Sequence, residues 1–463
     1  MSAQTAVKNR NADLCTGPFW KKIWLYTLPI IATGLLQLLF NAADLVVVGR
    51  YAGEEALGAV GATGALINLI VNLFMGLSVG SGVMVAQGIG AKDDGIIHRT
   101  VHTSIPAAFF GGIFLTFVGV TFSPVFLDWI DTHEEIIGLS ALYMRIYFAG
   151  IIPILLYNFG ASILRAAGDT KSPLLFLSIA GVVNVLLNLV FVIAFHMSVA
   201  GVALATTISQ LLACVLVLIK LARREDACRL EWRKLKIYPL DLWKIARIGL
   251  PAGIQGSLFS ISNVMIQSSI NGFGKIALAG NTAAGNIEGF VYVAMNAFHQ
   301  TAMNFMGQNT GARKYENFSK ILWICLLSVG GVGILLGGGC YLFADSLLSI
   351  YITDSAQAVA YGVTRMSFVC VLYFLCGLMD VMSGMLRGMG SSLLPMAVTV
   401  LGVCGMRLGW IYTIFRMEQF HTLESLYISY PISWVLTFVA LLIGFLVLKK
   451  RMMKKAGFVP QSA

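Results

Sequence analysis

Asp44 is an acid inside an apolar stretch, Leu28 to Arg50 (LPIIATGLLQLLFNAADLVVVGR), that is long enough to cross a bilayer. A carboxylate there costs about 2.5–3.5 kcal/mol on insertion scales, so it needs a partner, a watery cavity or a task. Thr33, Gln37, Asn41 and Asp44 fall at i, i+4, i+8 and i+11, one polar stripe along a helix that must turn away from lipid. A second stripe, Glu288, Tyr292, Met295 and His299 at i, i+4, i+7 and i+11, carries two titratable groups. Asp380 lies seven residues before Arg387 in another apolar run, and Arg407 stands near the middle of a further one, where a cation needs a partner as much as an acid does. If Arg407 pairs with Glu288 or with Asp380, that acid is structural, which ranks Asp44 first of the three. The chemistry within reach of such groups is reversible protonation or the exchange of a bound cation.

The elements that must hold these residues are membrane helices. With 57% hydrophobic and 12% charged residues, the chain reads as a polytopic membrane protein. Apolar segments of spanning length fall near 23–48, 57–88, 101–125, 136–162, 173–195, 199–220, 248–270, 277–306, 321–344, 358–386, 393–415 and 427–448, twelve in all. The connections sort by charge. Lys21, Lys22, Lys92, Arg99, Arg165, Lys171, Arg313, Lys314, Lys320, Arg387, Lys449, Lys450 and Arg451 fall on one side. Glu54, Glu55, Asp128, Asp131, Glu134, Glu135, Asp354, Glu418 and Glu424 fall on the other. Both termini are therefore expected in the cytoplasm. The net charge of +10 belongs to these loops and does not argue for nucleic acid. Residues 1–18 are polar and the first apolar run lacks a small-residue cleavage site, so no removed leader is expected.

Three anchors repeat at a nearly constant offset. Leu28-Pro29 recurs as Leu250-Pro251, Gln87-x-x-Gly90-Ala91 as Gln308-x-x-Gly311-Ala312, and Leu164-Arg165-x-x-Gly168 with Pro173 as Leu386-Arg387-x-x-Gly390 with Pro395, offsets of 222, 221 and 222. Each half holds six spans, so the fold expected is all-α, two six-helix bundles related by a pseudo-two-fold axis along the membrane normal. The expected division is 1–220, a basic cytoplasmic linker over 221–247, and 248–463. The linker region, Lys220 to Arg247, has nine basic residues against Glu225, Asp226, Glu231 and Asp241 and reads as a solvated loop with an amphipathic piece around Trp232 to Trp243. The repeat is asymmetric at the key position, because Ile266 stands where a second Asp44 would be.

The chain resembles the multidrug and toxic compound extrusion (MATE) family of cation-coupled exporters, within the superfamily that also holds lipid-oligosaccharide flippases. The resemblance covers nearly the whole chain: NAADLVVVGR in the first span, VAQGIGA and its copy MGQNTGA, ILRAAGDTKSP, NVLLN in the fifth span and DVMSGMLRGMG in the tenth. It implies that Asp44, with Gln37 and Asn41 on its stripe, lies in a cavity of the N-terminal half and serves coupling-ion and substrate binding. Asn184 and Asn188 share one face of the fifth span, where many relatives carry an aspartate at the second position. Asp380 resembles the acid that sodium-coupled members carry in the tenth span. Those members also tend to carry a glutamate in the seventh, where this chain has Gln255, Phe259, Asn263 and Gln267, which weakens a sodium assignment.

The expected function is thus a secondary antiporter of the cell (cytoplasmic, or inner) membrane. It would export small organic, cationic and amphipathic compounds in exchange for protons or sodium, with membrane lipid around it, no other cofactor and no need of an oligomer. No Gly-x-x-x-x-Gly-Lys-Ser/Thr loop offers an ATP site, and GLSVG, Gly76 to Gly80, matches Gly-x-Ser-x-Gly only as a helix-packing motif inside an apolar run, so no enzyme is expected. None of the eight cysteines forms a Cys-x-x-Cys pair, and no metal site is indicated. Two rivals remain: a lipid-linked oligosaccharide flippase, which needs a strongly basic cavity that acids at 44, 288 and 380 oppose, and a channel, which leaves a titratable stripe in each half unexplained.

Overall fold

In lipid an apolar segment must satisfy its own backbone, which leaves helices as the natural solution here. The computed structural model describes residues 13–130, 134–353 and 355–457, and among them no strand forms. Asp131 and Asp354 of the acidic face, the Glu54 side chain and the leader question for residues 1–12 lie outside the described residues.

The N-terminal half is built from α1 (Phe19–Tyr51), α2 (Glu54–Ala91), α3 (Asp94–Trp129), α4 (Glu134–Ala149), α5 (Ile151–Ala166), α6 (Lys171–Leu189) and α7 (Ser198–Ala222). The C-terminal half follows with α8 (Pro239–Asn271), α9 (Lys275–Gly311), α10 (Asn317–Leu342), the short α11 (Ala344–Ser349), α12 (Ala356–Phe368), α13 (Tyr373–Gly388), α14 (Leu393–Thr399), α15 (Met406–Tyr412) and α16 (Leu423–Lys455). Eight helical spans are long and apolar enough to cross a membrane singly, and the bent pairs α4–α5 and α12–α13 make ten. The helices α8 and α9, 33 and 37 residues long, complete the twelve. They are less apolar because both carry polar residues that face the interior rather than lipid. By contrast, α3 turns Phe110, Phe114 and Phe117 outward, as a lipid-facing surface requires.

The fourth and tenth spans are not continuous rods. The α4–α5 pair bends by 49° and α12–α13 by 47°. The breaks fall at Gly150 and at residues 369–372, equivalent places in the repeat. In the first case Pro153 enters the opening turn of α5, where a missing N–H costs nothing. A π-helical turn, Val190–Ala194, ends α6, and another, Val400–Gly405, separates α14 from α15.

The halves meet along α2, α8, α9 and α1, and among the described residues these contacts lie toward the end that carries the start of α1 and the end of α16. A Cβ on Gly76 would fall 2.3 Å from the Gly253 nitrogen, and one on Gly80 2.2 Å from the Ile245 carbonyl, so the GLSVG segment serves the α2–α8 contact. Closer to the termini, a Cβ on Gly90 would lie 1.8 Å from the Gln308 carbonyl and one on Gly311 1.9 Å from that of Gln87. The same two glutamines cross the seam symmetrically: Gln87 Nε2 donates to the Gly388 carbonyl and Gln308 Nε2 to that of Ala166, each at 2.9 Å. Toward the opposite end, the last cross-contacts include Ser257 Oγ to the Leu69 carbonyl, 3.0 Å, and Gly34 against Val293. The molecule is therefore closed at the terminal end and parted at the other. Gly90→Leu is expected to force the closed end open. Spin labels at Lys92 and Arg313 should report a longer and broader distance than in the parent, and an unchanged distance would remove the seam from the gating account.

Candidate substrate and coupling-ion site

Each half lines one cavity of about 610 Å³, within the size range of small-molecule sites. In the N-terminal cavity the helical stripe of α1 does what its spacing predicts, and Thr33, Gln37, Asn41 and Asp44 all face the space. Asn184 on α6 and Asn68 and Asn72 on α2 face it too. Asn188 stands behind Asp44, fully buried, and its Nδ2 donates to the Asp44 carboxylate and, at 3.3 Å, to Asn184 Oδ1. The acid is thus met from a neighbouring helix and not by Asn41, while the Asn188 oxygen has no partner among the described residues.

The C-terminal cavity holds more charge. Glu288 on α9 is gripped by Arg365 on α12, whose Nε and Nη2 donate to the two carboxylate oxygens at 2.9 and 2.7 Å. Arg365 Nη1 also donates to Asn281 Oδ1 at 2.6 Å, and Asn281 in turn donates to Gln267 at 3.0 Å. This corrects the expectation for Arg407. Its Nε donates to Ser433 Oγ at 3.0 Å and its guanidinium lies 4.0 Å from the centre of the Tyr430 ring, with no carboxylate in ion-pair range among the described residues. Glu288 is therefore held in a buried ion pair, but by a different arginine.

Asp380 faces the same cavity, and its carboxylate has no hydrogen bond or ion pair among the described residues. His299 departs from its stripe. It is buried away from both cavities, its Nδ1 2.7 Å from the Asp380 carbonyl and its Nε2 3.3 Å from Arg387 Nη1. The carbonyl only accepts, so Nδ1 carries the proton and Nε2 accepts from Arg387. Arg387 also donates to Gln255 Oε1 at 2.8 Å, so this arginine is an interior group rather than a loop charge. Its repeat mate Arg165 likewise lines the N-terminal cavity and donates to Gln300 at 3.2 Å. The charge sorting of the sequence placed both on the cytoplasmic surface because they end helices. Tyr292 and Asn72 line both cavities and make them contiguous. Ile266, which occupies the position equivalent to Asp44, faces the C-terminal cavity as an apolar wall.

Arg365, Asn68 and Asn72 were not singled out by their spacing. Arg365 offered the same signal as Arg407, a cation inside an apolar run; the asparagines of α2 sit among residues too small and mixed to draw a stripe. With Arg165, Arg365 and Arg407 on the walls, the cavities are not acidic, and the charge argument against a basic cavity loses its force. Among the described residues no group of three metal-ligating side chains occurs.

Twelve spans in two bundles flank paired polar cavities, an arrangement suited to carrying small molecules across a membrane. The MatE family model matches residues 29–190 and again 251–413, and the chain belongs to that family of multidrug efflux transporters. Among curated proteins it is similar to the probable multidrug resistance protein YoeA of Bacillus subtilis, 25% identical over 90% of this chain and 91% of that protein. It is also similar to the probable multidrug resistance protein NorM of Thermotoga maritima, 24% identical over 86% of each. Among solved structures, an outward-facing multidrug resistance MATE family transporter superposes with a TM-score of 0.86 at 23% identity, covering 98% of this chain and 99% of that one.

Proposed function

We propose that the protein exports small organic, cationic and amphipathic compounds across the cell membrane by alternating access, as a monomer in lipid, in exchange for a coupling ion. The rocking bodies are residues 1–220 and 248–463, joined through 221–247, whose last nine residues already belong to α8. The basic residues near the closed end support a cytoplasmic position for both termini. On that orientation, the open end faces outward.

The observation that carries the coupling is the Asp44 carboxylate on the cavity wall with the Asn188 amide behind it. An amide donates to the ionised acid through its nitrogen and, rotated, accepts from the protonated acid through its oxygen, so both states are served without a change of fold. A donor aimed at the carboxylate suits a proton better than sodium, which wants oxygen ligands around it. In the C-terminal half, Gln255 is spent on Arg387 and supplies no acid on α8. Protons rather than sodium are therefore the expected driving ion. In a pump-deficient host, dye efflux should follow the imposed pH gradient and ignore sodium. Efflux that survives collapse of the pH gradient but stops when sodium is removed reverses the assignment.

A further inference from the structure

Arg407 is 5% exposed, and its Nη2 is shut off from solvent with no hydrogen-bond partner among the described residues. Besides Ser433, the rings of Tyr430 and, at 5.7 Å, Trp434 lie beside it, with Tyr373, Cys376 and Cys404 also near. Stacking on aromatic faces offsets only part of what removing a guanidinium from water costs. The charge is therefore incompletely compensated. Nor do the other charges of this region balance it. Two carboxylates, Glu288 and Asp380, stand with three guanidiniums, Arg365, Arg387 and Arg407; Glu288 is held at both oxygens by Arg365, which leaves a positive charge over.

We propose that the C-terminal cavity binds the carboxylate of an aromatic acid on Arg407, with the ring of that acid against Tyr430 and Trp434. With Nε spent on Ser433 and Nη2 closed off from solvent, Nη1 is the donor a carboxylate can reach, through one charge-assisted hydrogen bond. The walls beside it are aromatic: Trp434 packs on Tyr430 and on Tyr373, with ring centres 5.9 and 5.2 Å apart, and all three line the cavity. Trp434 is 3% and Tyr430 9% exposed and Arg407 covers one face of Tyr430, so a flat ring meets them at the edges that stay open to the cavity. This subsite lies in the half opposite Asp44, and it stands independently of the export reading because binding is read without transport.

The test uses the full chain purified in detergent and two flat probes on one ring system, the anionic 2-naphthoate and the neutral 2-naphthamide, with tryptophan fluorescence quenching as the signal. The naphthoate should bind about tenfold more tightly than the amide. That preference should disappear in Arg407→Gln and persist in Arg407→Lys, and Trp434→Phe should remove most of the quenching. Equal binding of the two probes by the parent protein overturns the assignment, as does a preference that survives in Arg407→Gln. If Arg407→Gln does not fold, the parent's preference and the Trp434→Phe result decide: quenching undiminished in Trp434→Phe places the ligand elsewhere and also overturns it.

Discussion

Asp44→Asn is expected to bring dye efflux down to the background of cells that lack the protein, at unchanged expression and with little change in melting temperature. The fold should tolerate the exchange because an asparagine oxygen still accepts from Asn188 Nδ2, the contact that ties α1 to α6. What the variant loses is the ability to gain and release a charge. Moving one elementary charge through the membrane potential contributes about 2.3 kcal/mol per 100 mV, and an amide at position 44 cannot draw on it. Normal export by Asp44→Asn would remove the coupling role from this residue. No equivalent group exists at Ile266, so the repeat offers no substitute.

The second large effect lies in the other half. Arg365→Gln should destabilise the protein by about 3–5 kcal/mol, because it leaves the Glu288 carboxylate buried without its cation. The loss should show as poor expression and a lowered melting temperature in detergent. Adding Glu288→Gln should recover most of it, since two neutral amides in place of the pair leave no orphan charge. Arg407→Gln should be far milder, because no acid depends on Arg407. If Arg407→Gln proves the more damaging of the two, or if Glu288→Gln adds to the loss of Arg365→Gln instead of relieving it, the pairing is wrong.

These two predictions also mark how far the sequence alone could be followed. The helical period placed Gln37, Asn41 and Asp44 on one face, and that face lines a cavity, because a polar stripe in a membrane helix has nowhere else to go. The repeat located the paired glutamines and arginines, yet it could not say that Arg165 and Arg387 turn inward; a charge at a helix end looks like a loop charge until the neighbouring helices are placed. Along α9 the period was right for Glu288 and Tyr292 and failed at His299, where α13 packs close enough to bury the ring. A Cβ on Gly384 of that helix would lie 2.4 Å from the His299 carbonyl. The partner of Glu288 was hidden for a similar reason. Choosing between Arg365 and Arg407 requires the bend between α12 and α13 and the π-helical turn before α15, and neither has a pattern in apolar sequence.

Transport by the purified chain in sealed liposomes, with a pH gradient imposed and no sodium gradient, tests the central claim most directly. Coupled exchange predicts that a cationic dye moves uphill while the gradient lasts, that an ionophore collapsing the gradient stops it, and that Asp44→Asn liposomes show none. Dye flux that only runs down its own concentration gradient, indifferent to the ionophore and to position 44, would contradict it and leave a channel.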